Sequence, residues 1–132
     1  MYMLDTNAII MGIRHPDWPI ISRLEQHVGK DLCISTITLG ELEYGIKKSS
    51  DPIRTKYGVY QFLAGIRVLA FDANAARHFG DIYGDLEMRH MRIGDREIMI
   101  AAHARSLGYT VVTNNIREFS RVQGLKYEDW SI

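Results

Sequence analysis

A chain of 132 residues, 46% hydrophobic and 24% charged with only three prolines, has the size and composition of one domain with a buried core, residues 1–132. Its 16 basic and 16 acidic residues cancel, which argues against a non-specific polyanion binder of high pI but leaves room for a local basic patch. A single cysteine, Cys33, rules out an internal disulfide framework and a cysteine zinc site; between Leu32 and Ile34 it reads as a small buried strand residue.

Tyr2-Met3-Leu4 predicts a first strand, and Asp5-Thr6-Asn7 caps a helix running to about Arg14. His15-Pro16-Asp17 breaks it, and a second helix is expected from Trp18 to about Val28. Asp31 to Ile34 is the second strand. Ser35 and Thr36 are good caps for a helix ending near Lys47-Lys48. Ser49-Ser50-Asp51-Pro52 opens a helix to about Gly65, Arg67 to Phe71 is a third strand, and Asp72 caps a long helix toward Arg89. After Gly94 comes a further helix, then strand Thr110 to Thr113, a helical turn around Arg117–Val122, and an edge strand near Leu125–Trp130. Strands alternating with helices imply an α/β fold whose mostly parallel sheet is covered on both faces. No apolar run reaches the ~18 residues of a membrane span and no leader is evident, so a soluble cytoplasmic protein is expected.

In such a sheet, ligands gather at the carboxyl edge, where strands give way to helices. Asp5 comes straight off the first strand and is a candidate for chemistry as well as for capping. In the helix after strand two, Glu43 lies one turn from Lys47, so an i,i+4 pair explains it. Glu41 shares its side with Ile37, Tyr44 and Gly45, where a carboxylate is costly unless something pairs with it, and a metal ion would. Asp72 reads as an N-cap. Thr113-Asn114-Asn115, at the end of a late strand, are turn formers that at this edge can also hold metal-bound water or phosphate. Carboxylates without a Cys/His cluster favour a hard cation, Mg²⁺ or Mn²⁺. The five histidines are scattered, as surface or boundary residues rather than zinc ligands. No P-loop, GxGxxG or nucleophile elbow is present.

Taken in order, MYMLDTNAII, ISTITLGELEYGIKKS and IGDREIMIAAHARSLGYTVVTNNIREFSRVQGLKYEDW resemble the VapC toxins, bacterial ribonucleases with a PIN domain, across essentially the whole chain. The resemblance implies a three-layer α/β/α domain with a sheet of four or five strands. It implies a divalent-metal site, Mg²⁺ or Mn²⁺, and hydrolysis of RNA by water, in relatives with the TNNxREF ending at the anticodon loop of initiator tRNA. It further implies inhibition by a VapB antitoxin, a homodimer within a larger assembly, and operator DNA bound through the antitoxin. Asp5 and Glu41 match the family's first two acids, and the fourth position falls on Asn115, with Glu118 close by as a substitute. Thr6 and Thr113 would orient these ligands, and Arg14, Lys47, Lys48, Arg92, Arg96 and Arg117 are candidates for RNA phosphates.

The family's third acid is usually an Asp two residues before a Met-Ile or Leu-Ile pair, and that slot here holds Glu97. At about 100° per residue, Arg96 and His103 mark a wet side of the helix, and Glu97 falls nearly opposite, in line with Ile100, Ala101 and Ala104. Asp95 is expected to be structural, an N-cap or first-turn acid. Glu is one methylene longer than Asp, and Mg²⁺ tolerates little distortion. A weakened or inactive PIN domain that binds RNA or a partner is therefore the alternative expectation. A signalling receiver lacks its acid pair and late lysine here, and an aspartyl phosphatase lacks the second acid of Asp-x-Asp.

Overall fold

The computed structural model describes residues 1–132. Five strands and seven helices alternate: β1 (Tyr2–Leu4), α1 (Thr6–Arg14), α2 (Pro19–His27), β2 (Leu32–Ser35), α3 (Thr36–Lys47), α4 (Pro52–Phe62), β3 (Arg67–Leu69), α5 (Ala73–Met88), α6 (Asp95–Leu107), β4 (Thr110–Val112), α7 (Ile116–Phe119) and β5 (Lys126–Glu128). The helix starts follow from their caps. Asp5, Ser35, Asp51 and Asp72 each accept a backbone N–H from the first turn of the helix they precede. α6 ends at Gly108, whose φ of 71° lies in the left-handed region that favours glycine.

All four strand pairings are parallel, in the order β3-β2-β1-β4-β5, so β1 lies at the centre. The three-layer arrangement can be read from the strands themselves, since successive side chains point to opposite faces. Met3, Cys33 and Val111 enter one core with residues of α5, α6 and α7, whereas Leu4, Ile34 and Val112 enter the other with α1, α2, α3 and α4. The expected parallel sheet is thus found, fully parallel and five-stranded. No helix is long and apolar enough to cross a membrane.

Two expectations are corrected. His103 is not on a wet side: it is 2% exposed, because α6 is buried through its middle, and Ser35 Oγ meets its Nδ1 at 2.8 Å. Burial holds the His103 pKa below the ordinary histidine range, against a smaller opposing pull from Asp72. Glu43 turns to α4 rather than to Lys47. α4 packs beside α3 and supplies Tyr60, whose hydroxyl donates to Glu43 Oε1 at 2.7 Å.

Candidate active site

Register assembles the site. Leu4 pairs with Val112, so β1 and β4 end level and the next residues, Asp5 and Thr113, are neighbours at the carboxyl edge. Asp5 N–H donates to Val112 O at 3.1 Å, and Thr113 Oγ1 donates to Asp5 Oδ2 at 2.5 Å. The other carboxylate oxygen of Asp5 caps α1, accepting from Ala8 N at 2.8 Å. Capping and a place in the pocket are therefore not alternatives for Asp5, which does both. Thr113 Oγ1 in turn accepts the backbone N–H of Asn115 at 2.9 Å.

Asp5, Glu41 and Glu97 come from β1–α1, α3 and α6 and line one cavity of about 200 Å³, together with Thr6, Asn7, Tyr44, Lys48 and Arg96. Asp5 is 3% exposed, and its pKa is pushed up to about 6. Desolvation is the main cause; the bonds from Thr113 and Ala8 pull it back, and the negative charges of Glu97 and Glu41 push it further up. Thr6 Oγ1 donates to Glu41 Oε1 at 2.6 Å, and Arg96 Nη1 lies 3.5 Å from Glu41 Oε2.

Glu97 folds back over the helix start. A Cβ on Gly94 would collide with Glu97 Oε2, so glycine at this N-cap makes the space in which the longer acid is housed. Asp95 is instead a first-turn acid in the open, with 57% of its side chain exposed and Arg92 Nη2 at 3.4 Å. Hard oxygen donors on three elements, facing one cavity and repelling one another, have the chemistry of a site for a divalent cation. As they stand, the side chains do not close into a ready-made coordination group of three.

The remaining candidates divide by position. Asn115 Nδ2 donates to Glu118 Oε2 at 2.8 Å, and this pair lies outside the cavity lining. Lys47 and Arg117 are exposed and also outside it, whereas Arg14 lines an adjoining trough. Tyr44 and Gly45 line the cavity although the sequence reading does not single them out as site residues, and Lys48 enters that reading only as one of several cations. The helical spacing from Glu41, three, four and seven residues on, is the signal that could have found them.

The PIN domain model matches residues 2–125. The chain is 45% identical over 130 residues to the tRNA(fMet)-specific endonuclease VapC of Shigella flexneri, covering 98% of each chain. It is 44% identical over 129 residues to the ribonuclease VapC2 of Haemophilus influenzae (strain Rd), covering 98% of this chain and 97% of the relative. Among solved structures, the DNA-bound VapBC of Salmonella typhimurium superposes with a TM-score of 0.93 at 43% identity, covering 98% of this chain and 97% of the other. With its parallel sheet, its acids at the carboxyl edge and these relatives, the chain belongs to the VapC ribonucleases of the PIN domain family.

Proposed function

We propose that this chain is a metal-dependent endoribonuclease toxin that cuts initiator tRNA in its anticodon loop, using Asp5, Glu41 and Glu97 as the acids of its site. One observation carries the reading of the site. Three carboxylates from distant parts of the chain face a single cavity closely enough that two of them raise the pKa of the third. Their oxygen donors suit Mg²⁺ or Mn²⁺. Asp5, Glu41 and Glu97 would hold such a cation, which would neutralise charge on a scissile phosphate and lower the pKa of water toward neutral pH.

The chain's own groups do the positioning. Thr113 holds Asp5 in one orientation and Thr6 does the same for Glu41. Arg96 and Lys48, at the cavity wall, offer positive charge to the phosphates either side of the cut. Water adds to phosphorus and gives up a proton to solvent, while the bond from phosphorus to the neighbouring sugar oxygen breaks and that oxygen leaves as a hydroxyl by taking up a proton. The tRNA assignment is supported by the Shigella relative's substrate. A VapB-type antitoxin, and operator DNA reached through it, are supported by the DNA-bound VapBC complex of the Salmonella relative. A homodimer within that larger assembly belongs to the same proposal.

The longer acid Glu97, folded back over Gly94, favours a second reading, a weakened or inactive PIN domain that binds RNA or a partner without cutting. The two separate in one assay. Purified protein is incubated with total tRNA and Mg²⁺ or Mn²⁺. A discrete product that disappears with EDTA and with Asp5→Ala supports the nuclease. Intact RNA in every lane, from a folded protein that still binds it, supports the second reading.

A further inference from the structure

We infer that Tyr44 and Lys48 form a platform at the lip of the carboxylate cavity that stacks the base and holds the phosphate of a nucleotide flanking the cut, an inference that rests on the RNA nuclease reading above. α3 carries Glu41, Tyr44 and Lys48 at spacings of three and four residues, so the three share one face of the helix and its end. All three line the cavity. Tyr44 is 62% exposed, and Lys48 Nζ lies 5.2 Å from its ring centroid. An exposed tyrosine alone means little. This one stands a turn from a carboxylate of the site, with a cation already against its ring.

The cavity does not end at this lip. Ile10, Glu41, Gly45 and Lys48 also line an adjoining trough of about 600 Å³ between α1, α3 and α4, which adds Arg14 and Arg54. Ile10, Ile13, Leu42, Ile46 and Val59 give the trough an apolar wall, and its three cations against the single carboxylate of Glu41 suit a phosphate backbone leaving the cut. Single-stranded RNA is recognised by stacking unpaired bases on aromatic side chains, and lysine serves phosphates as a point charge. A ring at the rim of the acids, beside a trough that carries three cations, supplies both contacts.

The test uses an anticodon stem–loop RNA with 2-aminopurine placed at each nucleotide flanking the cut in turn. Titration in EDTA reads binding without cleavage. One position is expected to be quenched by wild type and by Tyr44→Phe. With Tyr44→Leu the quench is lost and Kd weakens roughly ten- to a hundredfold, the range of a lost base stack. In Mg²⁺ or Mn²⁺, Tyr44→Leu raises KM by a similar factor and leaves kcat little changed, while Lys48→Ala lowers the salt dependence of binding. Unchanged RNA binding by Tyr44→Leu overturns the proposal, and a changed oligomeric state alongside it assigns the ring to a protein interface instead. Tyr44-dependent binding without cutting by wild type overturns the nuclease reading and leaves the platform standing. Cutting with no dependence on Tyr44 does the reverse.

Discussion

The hydroxyl of Thr113 donates to the carboxylate of Asp5 across 108 residues of sequence, at 2.5 Å and in a buried setting. The bond exists because β1 and β4 end in register. A donor to a buried carboxylate stabilises its charged form, by about 1.5–3 kcal/mol for hydrogen bonds to charged groups. Thr113→Val keeps the shape and removes the donor. Urea unfolding of the metal-free variant is expected to show a loss of roughly that size at pH 8, where Asp5 is charged, and a smaller one at pH 4. Equal losses at the two pH values would mean that Thr113 acts through packing alone.

Asp5 itself gives the metal-free protein a pH dependence. Its carboxyl has a pKa of about 6 when folded against 3.8 as the ordinary value, so the folded chain holds this proton more tightly than the unfolded one. Its contribution to stability is complete below about pH 4 and is lost as the pH rises through about 6. The difference corresponds to about 3 kcal/mol. Asp5→Asn has no proton to lose, so its stability in EDTA should exceed wild type at pH 8 by an amount that vanishes near pH 4. A difference independent of pH would sink this account of Asp5.

Glu97 and Asp95 should separate cleanly in cation binding. Mn²⁺ titration by calorimetry is expected to show Glu97→Gln weakened about tenfold or more, ~1.4 kcal/mol, and Asp95→Asn close to wild type. Gly94→Ala introduces a methyl where Glu97 Oε2 now lies, so it should displace that carboxylate and weaken Mn²⁺ binding while the fold persists. Glu97→Asp no longer needs the space over Gly94 and should tolerate the alanine. An Asp95→Asn protein that loses Mn²⁺ while Glu97→Gln retains it would falsify the assignment.

Arg96 is only loosely committed within the protein. Its guanidinium is 3.5 Å from Glu41 and its side chain is 64% exposed, a pairing that contributes little to stability. Arg96→Ala should therefore leave the melting temperature nearly unchanged and weaken RNA binding. The slope of log K against log salt should fall by about 0.7, the value of one phosphate contact on a single strand. An unaltered slope would remove Arg96 from the RNA surface.

Much of the architecture is legible in the sequence because local chemistry marks its boundaries. Asp5, Ser35 and Asp72 cap helices as their residue types and positions indicate, and the alternation of strand and helix implies a parallel sheet. What the chain does not spell out is pairing over long distances. Nothing local places β1 between β2 and β4, yet that order brings Thr113 to Asp5. The reading of α6 as having one wet side fails for the same reason. His103 has the polarity of a surface residue, but Ser35, from a distant strand, meets its ring nitrogen inside the protein. Glu43 likewise has an adequate partner nearby in Lys47 and finds another on α4.

The central position of β1 also sets a time order. The hydroxyl that orients the acid of strand one belongs to residue 113, made 108 residues after it. At about 5–20 residues per second, translation separates the two by roughly 5–20 seconds. During the later part of that interval β1 has β2 on one side but lacks β4 on the other, the side from which Thr113 reaches Asp5. The pocket that Asp5, Glu41 and Glu97 share is therefore finished only once the chain has been made past residue 113.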